Sequence, residues 1–289
     1  MNASKNTYRW KNIVIPPTQT FPSSVSNDAA NDCFSCLNYT IHILNWGKNI
    51  VVGDGLMAKA FLGLNLDKNV LIFASGVSNS NEERQSAFDQ EKKLFLEIHN
   101  KFSDHTIVYF SSCSVFDPWL KDKPYVYHKK GMESLISETA KSYYIFRLPI
   151  MVWKSQNPNT LVNNLHDNII KEKQFNLWKH AKRHLIDIDD VYTIIHYLLR
   201  EESSMNTIIN VAFSQYTILD IVQALEKVTG KKALYTLTDQ WWSYDIDTST
   251  INDLPPHLQP RSDTGCRESR SDINYLESIL RKHYSNREL

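Results

Sequence analysis

The sequence predicts an α/β protein built on a doubly wound, mostly parallel sheet, and three features of its 289 residues predict it. Short apolar runs alternate with amphipathic ones from Asn49 to Leu148, the pattern of strands that are each followed by a crossover helix. A Gly53-Asp54-Gly55 turn sits where an apolar run gives way to a helical one. An apolar run ending in Ser111-Ser112 then precedes a helical stretch that carries Tyr125 and Lys129 one helical turn apart.

In chain order, residues 1–37 hold Pro16, Pro17 and Pro22 and a Ser/Asn/Asp-rich run, and they read as an irregular extension. Residues 39–44 alternate as a strand, Gly47 turns the chain, and residues 49–52 form a second short strand. Helix 56–66, strand 70–74, helix 82–101, strand 106–110, helix 127–140 and strand 143–148 complete a first domain over 38–150. Past Pro149 a second, smaller lobe covers 151–289. It holds helix 161–171, an apolar helix 191–200 that packs back on the first domain, and strand 208–211. Helix 218–228 ends at Gly230, and strand 233–237 and a helical tail 272–284 close the chain.

Composition narrows the function classes. Lys plus Arg (32) balance Asp plus Glu (32), and 42% hydrophobic with 22% charged residues is ordinary globular make-up. Nothing in that balance points to a nucleic acid or an anionic membrane as partner. The first ten residues lack the apolar core of a signal peptide, and no stretch approaches the roughly 18 apolar residues that cross a bilayer, so the reading is cytoplasmic. The four cysteines make no disulfide framework. Cys33 and Cys36 form a lone CxxC with no second pair, since Cys113 and Cys266 stand alone, so no metal is expected even with His42 nearby.

The segment Val51-Val52-Gly53-Asp54-Gly55-Leu56-Met57-Ala58 is a GxGxxA at a strand-to-helix junction, the context of a dinucleotide-binding turn. Gly53 permits the tight turn and Gly55 lets a pyrophosphate approach the backbone. Leu56 and Met57 open the helix whose N-terminus faces the anion, and Ala58 allows close helix–strand packing. The bland alternative is an ordinary tight turn. The acidic residue expected about 20 positions on is missing, with Ser75 in its place and Asp67 and Glu82 poorly positioned.

Tyr125 and Lys129 share one helix face. A free phenol with pKa about 10 is a poor proton donor or acceptor near neutrality, and a neighbouring ammonium favours the phenolate. Such a pair exchanges a proton with a hydroxyl or carbonyl, and Ser112 stands at the C-terminal edge of the sheet, where ligands of open α/β folds bind. A surface helix with an amphipathic tyrosine is the competing interpretation of the spacing alone.

These residues resemble the extended short-chain dehydrogenase/reductases, the NAD-dependent epimerase/dehydratase family, over about residues 49–228. Gly53 to Ala58 looks like the family's nucleotide turn, and Phe73-Ala74-Ser75-Gly76 is similar to its nicotinamide-side strand end. Phe110-Ser111-Ser112-Cys113-Ser114-Val115-Phe116 resembles its SSxxVY segment. Pro124-Tyr125 with Lys129 and Glu133 fits its PYxxxKxxxE helix, Phe146-Arg147-Leu148-Pro149 its RxP strand, and Arg183 to Asp190 its late RxFIxVxD-type motif.

The resemblance implies a Rossmann-like fold, NAD or NADP as cofactor, and a nucleotide-sugar substrate, in surface polysaccharide or sugar-nucleotide biosynthesis. It implies Ser112, Tyr125 and Lys129 as catalytic residues, and Gly53, Gly55, Leu56, Met57, Ala58, Ala74, Ser75, Gly76, Tyr125, Lys129, Leu148 and Pro149 around the cofactor. Ser112, Cys113 and Arg183 fall on the substrate side, with Arg183 either clamping a diphosphate or paired with Asp187 or Asp189. Asp189 and Asp190 read as the N-cap of helix 191–200. Ketoreductase and epimerase are not separated by sequence, whereas dehydration ranks lower because Cys113-Ser114 replaces the usual acidic pair. Trp241, Trp242 and Tyr244 either stack on a base or sugar or pack between the lobes. A homodimer is left open.

One departure is large. Two strands that the family carries between the glycine-turn helix and strand 70–74 are missing, and only about three linking residues remain. In the order 3-2-1-4-5-6 those strands lie at one edge, so their loss truncates the sheet and removes the adenosine pocket. Strand 39–44 is expected to cover the exposed edge, antiparallel to 49–52 through the Gly47 turn. The loss also raises an alternative function, a catalytically silent relative that serves as a binding or scaffold subunit. A Ser/His hydrolase is weak because no GxSxG precedes a helix.

Overall fold

The structure, a computed structural model, describes residues 40–44, 47–154, 160–201, 205–259 and 271–285. The N-terminal extension, Tyr39, the Cys33/Cys36 pair and Cys266 lie outside the described residues.

The chain runs through β1 (Ile41–Leu44), β2 (Asn49–Val52), α1 (Leu56–Ala60), β3 (Val70–Phe73), α2 (Gln85–Lys101) and β4 (Thr106–Ser112). It continues through α3 (Pro124–Thr139), β5 (Tyr143–Leu148), β6 (Ile150–Val152), α4 (Leu161–Ile170), β7 (Phe175–Trp178) and β8 (Lys182–Asp187). The last elements are α5 (Ile188–Glu201), β9 (Thr207–Asn210), β10 (Gln215–Thr217), α6 (Ile218–Thr229), β11 (Tyr235–Thr238), α7 (Ser249–Asn252) and α8 (Ser271–Tyr284).

The main sheet has the order β1-β2-β3-β4-β5-β9. Every pairing from β2 to β9 is parallel. All four residues of β2 and of β3 are buried, which is why the sequence shows unbroken apolar runs there instead of alternation. At the edge, β1 pairs antiparallel with β2, Ile41 opposite Val52 and Leu44 opposite Asn49, as the Gly47 turn led us to expect. Only turns join α1 to β3. The buried amide of Asn49 clamps this link, donating to the Lys68 carbonyl at 2.9 Å and accepting from the Leu66 N–H at 2.8 Å.

Among the boundaries that moved, three did so for identifiable reasons. Helix α1 stops at Ala60, not residue 66, because the Phe61 N–H bifurcates to the Met57 and Ala58 carbonyls while Phe61 and Leu64 turn into the core ahead of Gly63. Helix α3 starts three residues before the expected Tyr127, because proline is well suited to a first helical position, and Tyr125 therefore lies inside the helix with Lys129. Strand β4 runs on to Ser112 because Ser111 and Ser112 pair with Arg147 and Leu148.

The remaining strands form a three-stranded sheet, β10-β8-β6, and a parallel pair, β11-β7. Helix α6 has a complete capping box between Thr217 and Asp220 and ends on Gly230 at φ 71°, a left-handed position that glycine adopts without strain. The Phe61 and Tyr192 rings, 5.2 Å apart, bring α5 against α1. No helix among the described residues is long and apolar enough to cross a membrane.

The start of α5 is tied to α8 by a buried polar clasp. The N-cap is Asp187, which accepts from the Asp189 N–H at 2.8 Å, so the expected cap residues Asp189 and Asp190 instead lie in the first turn. Lys282 and His283 bond the Asp187 carboxylate at 2.8 and 3.0 Å. Tyr275 donates to Asp190 at 2.6 Å and accepts from the Asp187 N–H at 3.0 Å. Burial, against the Tyr275 hydrogen bond and with help from Asp187, pushes the Asp190 carboxyl up to about 6. A carboxyl raised in the fold contributes stability below its unfolded pKa and loses it as pH rises through the folded value. Asp190→Asn is therefore expected to unfold at roughly 2 kcal/mol higher free energy than the parent near pH 8, the gap closing below about pH 4. Urea unfolding across that range checks it.

Candidate active site

Gly53 follows β2 at φ +122°, a conformation L side chains rarely adopt, and its N–H bonds the carbonyl of Thr40, the residue before β1, at 2.8 Å. A Cβ there would stand 2.6 Å from the Ala74 carbonyl oxygen and 3.1 Å from the Ser75 nitrogen. The two strand ends thus close on each other through this glycine. Gly55 is exposed and a Cβ on it would meet no atom within 4 Å, so its backbone faces open space, while Ala58 is wholly buried against the sheet. Leu56 is half-buried and Met57 buried in the first turn of α1. With five residues α1 adds little dipole, so its open backbone N–H groups, and not a long helix, are what the corner offers an anion.

At the C-terminal end of the neighbouring strands, Ser112 is the last residue of β4 and lies in register with Leu148, which Pro149 follows. The Ser112 oxygen accepts from the Ser114 N–H at 3.1 Å and caps the 3₁₀ turn Cys113–Phe116, so the hydroxyl has a structural task besides any catalytic one. Tyr125 is 5% exposed, and its phenol makes no hydrogen bond to another described residue. The Lys129 ammonium lies on the same side of α3, 5.8 Å from the centre of the Tyr125 ring.

Lys129 does not stand free. It donates to the Tyr109 hydroxyl at 2.9 Å and to the Phe110 carbonyl at 3.5 Å, and it pairs with the Glu91 carboxylate at 3.6 Å. Glu91, on α2, also accepts from Tyr109 at 2.7 Å, from His128 at 2.7 Å and from the Val77 N–H at 2.6 Å. Burial works against its ionisation, but Lys129 and these donors prevail and hold the carboxyl at about 2. Burial, followed by the same carboxylate, drives the Tyr109 phenol well above its ordinary range. The pair lies directly under Gly76, where a Cβ would meet Glu91 at 2.9 Å and Lys129 at 3.1 Å. Motif reading missed Glu91, yet a signal was present. It shares the apolar stripe of α2 with Phe88, Phe95 and Ile98, and a carboxylate on such a stripe must be compensated in the interior.

Two positions quoted from separate motifs form one contact. Glu133 and Arg147 make a bidentate pair at 2.9 and 2.6 Å, and Ser111 donates to the same carboxylate at 2.5 Å, which locks α3 onto β4 and β5. Cys113, grouped by sequence with the substrate-side residues, is fully buried with its thiol on the Arg147 carbonyl at 3.4 Å, and burial pushes it up to about 12. It has no surface to offer a substrate.

Arg183 does not pair with Asp187 or Asp189, both of which form ion pairs with Lys282 on α8. It donates to the Lys182 and Trp242 carbonyls at 2.7 and 3.0 Å, and its guanidinium stacks 4.2 Å from the Trp242 ring. The Trp242 indole donates to buried Asp117, and its ring lies 5.2 Å from Trp178, so this tryptophan packs, whereas Trp241 is 70% exposed. A cavity of about 390 Å³ opens at the opposite edge of the sheet, where Lys48, Lys68, Asn69 and Thr106 precede or begin the strands, and has no contact with this constellation. No cluster of three or more potential metal ligands occurs among the described residues.

No protein-family model matches the chain, and neither does any curated protein sequence. Solved structures do. The chain is similar to a UDP-glucose 4-epimerase from Thermotoga maritima bound to UDP-glucose, at 14% identity and TM-score 0.56, covering 78% of this chain and 81% of that one. It is similar to RMD from Pseudomonas aeruginosa complexed with NADPH, at 13% identity and TM-score 0.56, covering 74% and 82%. It is also similar to a dTDP-glucose 4,6-dehydratase from Bacillus anthracis in complex with NAD, at 14% identity and TM-score 0.54, covering 75% and 73%. The fold is therefore the Rossmann-like fold of these enzymes.

Because a methyl group on Gly53 meets backbone atoms that have nowhere to move, Gly53→Ala is expected to cost at least about 2 kcal/mol, measured by urea unfolding. The same change at open Gly55 is expected to cost less than about 1 kcal/mol.

Proposed function

We propose that the chain belongs to the extended short-chain dehydrogenase/reductase family and is an NAD(P)-dependent ketoreductase or epimerase of a nucleotide sugar, in surface polysaccharide or sugar-nucleotide biosynthesis. The observation that carries this reading is the Tyr125 phenol, without a hydrogen bond to another described residue, on the same helix face as the Lys129 ammonium and near the sheet edge where Ser112 ends β4. The likeness to solved nucleotide-sugar enzymes supports it.

The residues present fit one end of a dinucleotide. Open backbone at Gly55 suits a pyrophosphate, Ala74 and Ser75 follow the end of the adjacent β3, and Leu148 and Pro149 lie at the end of β5, two strands further on. The other end has little to hold it, because β1 stands where further parallel strands would carry an adenosine pocket. When bound, the nicotinamide supplies the hydride donor or acceptor. In this account Tyr125 exchanges a proton with the sugar oxygen, Lys129 favours the phenolate and orients a ribose hydroxyl, and Ser112 hydrogen-bonds the reacting oxygen. Arg183 presents its guanidinium to a substrate diphosphate.

A second reading, a catalytically silent binding or scaffold subunit, draws support from the Glu91 carboxylate beside Lys129 and from the same truncated edge. Thermal-shift titration with NAD⁺, NADH, NADP⁺ and NADPH, followed by turnover of a nucleotide-sugar panel, separates the two. The enzyme reading expects binding of at least one cofactor and a fall in kcat of about 10²–10⁴-fold in Tyr125→Phe with cofactor binding retained. No binding of any of the four at millimolar ligand favours the silent subunit, and a Tyr125→Phe protein as fast as the parent removes Tyr125 from the chemistry.

A further inference from the structure

The Glu91 carboxylate is not used by the proposed chemistry, yet it is more completely enclosed than any group that is. Its side chain is 1% exposed and that of Lys129 is 4% exposed. A buried carboxylate persists only where partners repay its lost hydration. Four groups do so here: the Tyr109 hydroxyl, the His128 ring, the Val77 N–H and the Lys129 ammonium. Because the carboxylate is ionised it accepts only, so the His128 Nε2 carries the shared hydrogen, while the His128 Nδ1 is buried without a partner among the described residues.

We infer that Glu91 is a positioning residue of this site, fixing the Lys129 ammonium against Tyr109 and sharing its charge, so that the Tyr125 phenol faces an ion pair instead of a bare cation. The inference rests on the proposed role of Tyr125 only for what it means in turnover. Tyr109 is the physical link, since it accepts from Lys129 and donates to Glu91. The loop after β3 is fastened to the same pair, through the Val77 N–H and through Gly76, the residue type that leaves room for Glu91 and Lys129 beneath it.

The other charged and titratable groups around the phenol do not replace this effect. On α3 these are His128 and Glu133, on β4 Tyr109, on β5 Arg147, and in the 3₁₀ turn Cys113. Glu133 and Arg147 neutralise each other in a bidentate pair, and the thiol of Cys113 and the phenol of Tyr109 are both driven above their ordinary ranges, chiefly by burial, and stay neutral. That leaves Glu91 as the negative charge acting on Lys129. With Glu91 neutral, the Tyr109 hydroxyl and the Phe110 carbonyl still hold the ammonium in place, so its full charge reaches Tyr125.

The test needs neither cofactor nor substrate. Protein labelled with [¹³Cζ]tyrosine is titrated by NMR, with the Tyr125 resonance assigned by its loss in Tyr125→Phe. Glu91→Gln is expected to move the Tyr125 midpoint to lower pH by about one unit, a tenfold gain in acidity, whereas a purely structural role leaves the midpoint where it was. An unmoved or raised midpoint overturns the inference. Thermal melts give a second arm that stands even if the single Gln variant does not fold. Lys129→Met strands a buried carboxylate, so Glu91→Gln/Lys129→Met is expected to melt at a higher temperature than Lys129→Met. A double variant that melts no higher means the two charges are not coupled, and the inference fails. A Tyr125→Phe protein with parental turnover would sink the proposed chemistry while leaving both arms untouched.

Discussion

Two opposite charges sealed between a helix and a sheet, Glu91 and Lys129, are the constraint around which this end of the molecule is arranged. Neither can be buried alone, because an isolated ion in the interior costs several kcal/mol even after relaxation. The surroundings are shaped to prevent that. Tyr109 on β4 stands between them, His128 closes the carboxylate from α3, and the loop after β3 contributes a backbone donor. A Cβ on the glycine above the pair would stand 2.9 Å from Glu91 and 3.1 Å from Lys129, so a larger residue there would push the two side chains from their places. Three elements and a loop are thereby fixed against one another, and Tyr125 is presented in a set position one helical turn before Lys129.

The second constraint is the edge of the sheet. Four parallel strands continue undisturbed into β9, while on the other side a single antiparallel strand ends the sheet. Asn49 makes this economy workable, since its buried amide ties down the turns that take the place of two strands and their helices. The consequence for ligands is asymmetric. The glycine corner and the strand ends around Ser112 are present, but a dinucleotide's far half has no parallel strands to lie on, and α1 is too short to add much to phosphate binding. Affinity in this account must come from the phosphates and the reactive ring.

Much of this was legible in the residues. The unbroken apolar runs at β2, β3 and β4 signal strands buried on both faces, and Thr217, Asp220 and Gly230 mark the two ends of α6 by known capping chemistry. Pairings decided by tertiary structure were not. Arg183 stacks on a tryptophan 59 residues away in sequence, and Asp187 serves both as N-cap of α5 and as anchor for α8. The strands β6, β7, β8 and β10, of three to six residues, are too short for periodicity to stand out. Glu91 escaped because motif matching looks for expected residues, whereas its signal was a charge standing on an apolar stripe.

The central claim is that the chain holds the nicotinamide end of a dinucleotide against Tyr125 and leaves the adenosine end largely free. Saturation-transfer NMR with each of the four nicotinamide cofactors tests it most directly, because protons pressed against protein receive magnetisation and free ones do not. The account predicts strong saturation of the nicotinamide and adjoining ribose protons, and weak saturation of the adenine protons, for at least one cofactor. Saturation strongest on adenine, or absent for all four, would contradict it.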